Sequence, residues 1–194
     1  MELVSISDII AGFAFREAVT ADKHGDVLVF QAKDLVRGVF VTDVTNLTLI
    51  SSSLTGRAEY LKTNDVLLIA RGMKAGAFRS TVFKSDKSNV IASASVHIIR
   101  IVSTDVLPEY LSHYLNSKDG QNALSEIVSG SYIGALPRKA LGGIKIPIPT
   151  LNKQQSIIDL YKNIEEQQKI LDRRSELKQQ IIDSTFKNII KHHD

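Results

Sequence analysis

The 194-residue sequence contains no cysteine, so it can form neither a disulfide framework nor a cysteine-ligated zinc site. Its uninterrupted apolar runs are only a few residues long, whereas a helix that spans a bilayer needs about 20. The first residues, MELVSISDIIAGFAF, lack the basic start and the long apolar stretch of a signal peptide. From these absences we expect a soluble, cytoplasmic protein that does not associate with membranes.

The sequence also lacks the motifs of several enzyme classes. It has no Gly-rich phosphate-binding loop ending in Gly-Lys-Ser/Thr, no dinucleotide fingerprint after a strand, and no Asp/Asn-Pro-Pro-aromatic motif of amino-methyltransferases. None of the five histidines has other ligands at zinc spacing, and no acidic pair suggests a general acid and base. We therefore expect a binding protein with no catalytic residues, no metal site and no cofactor of its own. A small nuclease is an alternative that the missing paired carboxylates disfavour.

The charge balance permits a nucleic-acid partner without requiring one. The net charge is +3 and the sequence pI is about 9.0. Lysine and arginine exceed aspartate and glutamate only slightly on both sides of residue 150. A DNA-binding face would therefore need local clustering of cations.

The sequence pattern of the chain changes near Pro147–Thr150, which divides it into two regions. Residues 1–150 contain short runs rich in Val, Ile and Phe, separated by turn residues, and the runs are typical of strands. The predicted strands are Val27–Gln31, Gly38–Val41, Asn46–Ile50, Asp65–Ala70, Phe78–Phe83, Val90–Ala94 and Ser95–Val102. Two short helices are predicted at Pro108–Asn116 and Asp119–Val128, the first with proline in its first turn. The pattern indicates an α+β fold in which a curled, mostly antiparallel β-sheet carries peripheral short helices.

Residues 151–194 form the second region, which contains neither proline nor glycine. Asn152 is a candidate N-cap with Gln155 three residues on, as in a capping box. Apolar residues then recur at helical intervals, which predicts one long amphipathic helix. The proposed dimerisation residues are Ile157, Tyr161, Ile164, Leu171, Leu177, Ile182, Phe186 and Ile189. Polar residues at Gln168, Ser175 and Lys178 interrupt the stripe, which favours an antiparallel coiled-coil or helix pair over a long regular zipper.

An apolar stripe this long needs a partner helix, so the helix serves association, and its length can set a distance. The alternative is a helix that folds back across its own domain.

Basic loops are the candidate DNA-binding segments. Ala70–Ser80 carries Arg71, Lys74 and Arg79 around two glycines after an apolar strand, and Lys84 and Lys87 follow in a polar turn. Arginine can form two hydrogen bonds to one guanine base, and lysine can form an ion pair with phosphate. The other candidates lie in Ser129–Lys139 and in SSSLTGR; they are Ser131, Tyr132, Arg138, Lys139 and Arg57. An ordinary solvated hairpin and a plain helix-to-strand connection remain alternatives for these loops.

The order of the motifs closely resembles the specificity (S) subunits of type I restriction–modification systems, over essentially the whole chain. The segments that carry the resemblance are ISDIIAGFAF, NDVLLIARGMKAGAF, ASASVHIIRI, LPEYLSHYLNS and SGSYIGALPRKALGGIKIPIPTLNKQQSIIDLY. The most specific motif of this resemblance comprises Gly130, Ser131, Leu136, Leu141, Ile144, Ile146, Pro147, Pro149, Leu151, Gln154 (or Gln155) and Ile157. Asn64 stands where the family usually has glycine.

The resemblance implies a target recognition domain followed by a conserved helix, in a subunit that reads DNA and has no catalytic activity. Family members usually carry two recognition domains whose helices pack antiparallel. They read a bipartite target and direct methyltransferase (M) and restriction (R) subunits, to which S-adenosylmethionine, ATP and Mg²⁺ would belong. This chain has one recognition domain and one helix, half of that pattern. It could restore the pattern as a homodimer that reads a palindromic target. The alternative is an assembly protein derived from an S subunit that does not read DNA itself.

Overall fold

The computed structural model describes residues 1–36, 40–72, 76–128 and 134–191, without the side chains of Asn188, Ile189 and Lys191. The chain divides into two compact units, Met1–Gln155 and Ser156–Asp194. The first unit contains all the strands that the structure describes, and the second begins inside the long C-terminal helix.

Seven strands form two sheets in the first unit. They are β1 (Ser7–Ala11), β2 (Val27–Phe30), β3 (Thr48–Ile50), β4 (Val66–Ile69), β5 (Ser80–Val82), β6 (Val90–Ala92) and β7 (Val96–Ile101). One sheet has the order β1-β7-β4-β5 and is antiparallel throughout. The other has the order β3-β2-β6, in which β2 pairs antiparallel with β3 and parallel with β6.

The main core lies between these two sheets. Phe30, Val90 and Ala92 from the three-stranded sheet pack in one buried cluster with Leu67 and other residues of the four-stranded sheet. All four residues of β4 are buried, which explains why VLLI is a continuous apolar run and not an alternating one. A smaller cluster around Val27, Val29, Ile50 and Ile91 lies against the partly buried Phe13, Phe15 and Val19.

Four α-helices complete the described structure: α1 (Pro108–Asn116), α2 (Lys118–Val128), α3 (Arg138–Gly142) and α4 (Leu151–Lys191). Pro108 lies in the first turn of α1, where a missing N–H costs no helical hydrogen bond. Asn116, at the end of α1, accepts from the Ser80 backbone N–H at 2.9 Å and donates to the Ser80 carbonyl at 2.8 Å. The helix thereby satisfies backbone groups on the edge strand β5. At Gly120 a Cβ atom would lie only 2.1 Å from the Tyr114 carbonyl oxygen, so the tight α1–α2 connection requires glycine.

The structure confirms the α+β class, with mostly antiparallel strands, short peripheral helices and a long C-terminal helix. It divides the strands into two sheets, and β2–β6 is a parallel pair. The sequence pattern did not predict β1, and the predicted strand Gly38–Val41 lies partly outside the described residues. The N-cap prediction at Asn152 was wrong, because α4 begins at Leu151 and the Gln154 N–H already donates to the Thr150 carbonyl at 3.0 Å. Within the described part of the chain, no helix is both long and apolar enough to cross a membrane.

The buried imidazole of His113 makes stability depend on pH. Burial lowers the pKa of His113 from 6.5 to about 4, and the nearby Glu109 raises it by a smaller amount. Between these two pH values the unfolded chain binds a proton that the folded chain does not bind. The stabilising effect of neutral His113 is therefore complete above about pH 6.5 and is lost as the pH falls towards 4. Burial also lowers the pKa of His97, so its contribution has the same sign.

We predict that the urea midpoint falls between pH 7.5 and pH 5, and that His113→Phe makes this fall shallower by removing one titrating group. Phenylalanine keeps an aromatic ring against Phe40, whose centroid lies 5.9 Å from that of His113. The matched control is His24→Phe at an exposed position, which should leave the pH dependence unchanged. A His113→Phe protein with the wild-type dependence would contradict the assignment.

Candidate nucleic-acid interface

The β4–β5 hairpin separates the predicted cations into two groups. Arg71 follows β4 and Arg79 precedes β5, and the Ile69 N–H donates to the Arg79 carbonyl at 3.0 Å, which holds the two ends of the intervening loop together. Lys84 and Lys87 follow β5 and lie towards the opposite end of the hairpin. Since a strand rises about 3.3 Å per residue, Lys84 is roughly 15 Å along the chain from Arg79. The two groups do not form one continuous patch along the hairpin.

The structure brings the two predicted DNA-binding loops together. The Leu136 N–H donates to the Ala70 carbonyl at 2.8 Å, and the Gly72 N–H donates to the Gly134 carbonyl at 2.8 Å. Arg71 and Ala135 form an antiparallel bridge between these two bonds. Gly134 has a φ of +59°, which glycine adopts without strain. We call residues 70–72 with 134–136 the loop junction, because it joins described residues of the two predicted loops.

His97 tethers the loop junction to the sheet. This residue of β7 is buried, and its Nε2 lies 2.7 Å from the Leu136 carbonyl oxygen. A carbonyl oxygen only accepts, so Nε2 carries the proton and donates it. Burial is the main cause that lowers the pKa of His97, and the charge of Arg138 adds to it. The neutral ring is therefore the form that holds the junction. The sequence analysis placed His97 on a strand but did not predict this contact; a histidine inside the apolar run VHIIRI was the available signal.

The predicted pair Arg138 and Lys139 lies in the first turn of α3, a helix that the sequence reasoning did not predict. Both side chains are exposed and line a shallow groove together with Glu2 and Asp8. Two acids thus accompany two cations in this groove. Their presence weakens the attraction of this site for phosphate compared with an all-basic cluster.

The remaining predicted cations differ in how many contacts they make within the domain. Lys84 forms an ion pair with Glu109 and donates to the Asn64 side-chain oxygen at 2.7 Å, so part of its capacity is used within the domain. Lys87 is exposed, and so is Arg57, which follows Gly56 in a turn after Leu54. Lys74, Ser131 and Tyr132 lie outside the described residues, and their roles stay predictions.

Arg100 shows that a cation of this domain can be wholly structural. Its guanidinium donates to both carboxylate oxygens of Asp65, at 2.9 and 2.8 Å, to the Tyr60 carbonyl at 3.0 Å, and pairs with Glu59. These contacts raise the pKa of Arg100, chiefly through the hydrogen bonds that it donates to Asp65. Its hydrogen bonds are directed within the domain, which leaves the exposed Arg71 as the clearer candidate for an external anion.

The match of the sequence to a protein family decides the identity of the fold. Residues 1–189 match the family described as Type I restriction modification DNA specificity domain. The chain belongs to this family. No curated protein sequence matches the chain.

Three solved structures share the fold of this specificity domain. One comes from a study of complex assembly and conformational transition of the type I R-M system, with a TM-score of 0.63 and 19% identity over 89% of this chain and 39% of the other. The HsdS subunit from Thermoanaerobacter tengcongensis gives 0.58 and 19%, over 89% and 38%. The type I S subunit from M. genitalium gives 0.54 and 15%, over 86% and 38%. The specificity domain chain therefore spans about two fifths of the length of the structures that it matches.

The helix α4 of this specificity domain chain carries the predicted dimerisation residues. Ile157 and Tyr161 are half-buried, and the side chain of Ile189 is outside the described part. Ile164, Leu171, Leu177, Ile182 and Phe186 are between 44% and 66% exposed in the single chain. The polar positions bond along the same helix, for example Gln168 to Asp172 at 2.7 Å and Arg173 to Glu176 at 3.0 Å. Several polar side chains of the helix thus bond to one another, while much of its apolar stripe is exposed in the single chain.

Among the residues that the structure describes, no group of three His, Cys, Asp or Glu side chains could hold a metal ion. The family match is to a specificity domain and not to a catalytic family, and we assign no catalytic role to any residue.

Proposed function

We propose that this chain is a sequence-specific DNA-binding specificity subunit of a type I restriction–modification system. The observation that carries the proposal is the family match over residues 1–189, which includes both the β-rich unit and nearly all of α4. In this proposal the subunit directs methyltransferase subunits, and possible restriction subunits, to its target in the cytoplasm of a prokaryotic cell. S-adenosylmethionine, ATP and Mg²⁺ belong to those partners.

The loop junction is the part of the domain that we propose faces the DNA. It places the exposed Arg71 beside the ends of both predicted loops, which carry Lys74, Ser131 and Tyr132. We propose that both loops contact the same stretch of a groove, because one hydrogen-bonded junction joins their described ends. The tether from His97 fixes the base of both loops before DNA arrives, and this lowers the entropy that binding costs.

We further propose that two copies pair through α4 in an antiparallel arrangement and read a bipartite, palindromic target. The chain has about two fifths of the length of its structural neighbours, and α4 exposes an apolar stripe. A two-fold axis beside Arg173 would place Ile157 opposite Ile189 and Ile164 opposite Ile182 of the other copy. The polar positions Gln168 and Lys178 would then face each other near the centre of the seam.

Two-fold symmetry of the homodimer gives identical half-sites in inverted orientation. The 41 residues of α4 correspond to about 60 Å at 1.5 Å per residue. A separator of tens of ångströms spans several base pairs, so the helix would act as a ruler as well as a dimerisation element.

For DNA contact, we predict that Arg71→Glu weakens binding to a random duplex about tenfold near 0.1 M salt and lowers the salt slope by about 1. The physical reason is the loss of one phosphate contact at the loop junction. Fluorescence anisotropy with a labelled duplex across a salt series measures both quantities.

The matched control for this prediction is Lys23→Glu, the same charge change at an exposed lysine outside the predicted DNA-binding loops. It should change binding much less than Arg71→Glu. Equal losses from the two variants would mean that overall charge, not the loop junction, determines the affinity.

For dimerisation, we predict that the double variant Ile164→Cys/Ile182→Cys forms disulfide-linked dimers under mild oxidation. The chain has no native cysteine, so only the introduced thiols can react. The two positions are 18 residues apart, about 27 Å along one helix, which is too far for an intrachain disulfide. Non-reducing electrophoresis shows the product.

The single variants Ile164→Cys and Ile182→Cys are the controls. In an antiparallel pair each introduced thiol lies far from the same residue of the partner chain, so neither single variant should cross-link. A parallel pair would cross-link each single variant with itself, and a monomer by light scattering at micromolar concentration would contradict dimerisation itself.

A further inference from the structure

Gln154 is a completely buried polar residue in the first turn of α4. Its exposed fraction is 0%, whereas the neighbouring Gln155 is exposed. A buried amide without partners would be costly, so the hydrogen bonds of Gln154 reveal what holds it there. The family resemblance at this point left open which of the two glutamines occupies the motif position, and burial distinguishes them.

The primary amide of Gln154 uses its acceptor and both donors. Its Oε1 accepts from the Leu107 N–H at 2.9 Å. Its Nε2 donates to the Asp105 carbonyl at 2.7 Å and to the Pro149 carbonyl at 2.8 Å. A carboxylate has no donor for the two carbonyls, and an apolar side chain would leave all three backbone groups without this partner. We call residues 143–150, between α3 and α4, the linker. The amide therefore joins the turn before α1, the end of the linker and the start of α4.

The linker that leads to Gln154 is itself held on both sides. The Leu3 N–H donates to the Ile144 carbonyl at 2.9 Å, and the Ile146 N–H donates to the Met1 carbonyl at 2.7 Å. From the other side, the Tyr110 hydroxyl donates to the Pro147 carbonyl at 2.6 Å. Pro147 and Pro149 also restrict the backbone, because each proline ring fixes φ. Gln154 makes the last of these hydrogen bonds along the chain, one residue before the first compact unit ends at Gln155.

We propose that Gln154 is a positioning residue that holds the first turn of α4 on the recognition domain and thereby determines the spacing between the two half-sites. This inference rests on the proposed function, in which α4 separates two DNA-reading domains. The helix α4 can set a fixed distance between the two domains only if its first turn is held in one position on each domain. Gln154 touches neither DNA nor partner in this account, and it acts by keeping the helix start in one arrangement.

The first test measures, without DNA, how far the hydrogen bonds of Gln154 protect the start of α4. In the full chain, Gln154→Met removes the three hydrogen bonds at similar volume, and hydrogen–deuterium exchange follows the amides of residues 150–156 and 105–107. We expect exchange there to accelerate at least tenfold while peptides of β4 and β7 stay protected. Gln155→Met, the adjacent exposed control, should leave exchange unchanged. Unchanged exchange in Gln154→Met would overturn the positioning role whatever the protein binds.

The second test measures spacing. The full chain, assembled with its methyltransferase subunits, methylates duplexes whose half-sites are separated by every spacer length within about one helical turn of DNA. Wild type and Gln155→Met should select one spacer, whereas Gln154→Met should accept neighbouring spacers with the half-site bases unchanged. A folded Gln154→Met protein that keeps the single wild-type spacer would overturn the inference.

A milder variant covers the case in which Gln154→Met does not fold. Tyr110→Phe removes only the hydroxyl bond to Pro147 on the same linker, and it should widen spacer tolerance to a smaller degree. No widening with Tyr110→Phe, in a chain where Gln154→Met is unfolded, would assign Gln154 to stability and not to spacing. A wild-type complex with no spacer preference would contradict the proposed function itself, which separates that failure from a failure of the Gln154 tie.

Discussion

The pairing of β7 with strands on both sides is the interaction on which the rest of the domain depends. Backbone hydrogen bonds join β7 to β1 over five residue pairs and to β4 over four, so β7 is an interior strand of the larger sheet. Val96 and Ile98 of this strand enter the core between the two sheets. Its polar residues hold the surroundings: His97 fixes the loop junction near one end, and Arg100 binds Asp65, Glu59 and Tyr60 near the other. One strand thus supports both the core and the base of the candidate DNA-binding loops.

A second constraint governs the C-terminal helix. An amphipathic helix of 41 residues has little stability from backbone hydrogen bonding alone, and its apolar stripe must be buried against something. Near the end of the first unit, the buried amide of Gln154 satisfies three backbone groups. Exposed apolar residues then continue to Phe186 and Ile190. In the proposed homodimer, the same stripe supplies the association energy and the distance between half-sites, so dimerisation and target geometry cannot vary independently.

The sequence was most informative where one physical pattern dominated. Apolar runs such as VLLI, the proline at the start of α1 and the absence of proline and glycine after Thr150 led to elements that the structure contains, with ends displaced by a few residues. Other features depended on contacts between distant segments. β1 was not listed as a strand, because SDIIA has an ambiguous pattern until it is paired with β7. The separation of Lys84 from Arg71, the acids beside Arg138, and the choice of Gln154 over Gln155 all required three-dimensional neighbours. No periodicity in the sequence could show that Leu136 contacts Ala70 and His97.

The central claim is that this chain gives a methyltransferase its DNA sequence preference. Long-read mapping of N6-methyladenine tests it directly, in cells that carry the methyltransferase gene of the same type I system, with and without the gene for this chain. Our account predicts a bipartite motif with inverted identical halves and one fixed spacer, present only when this chain is expressed. An asymmetric motif would replace the homodimer by pairing with a different S chain. Methylation that is the same with and without this chain would contradict DNA reading, and the assembly-only alternative would then become the better explanation.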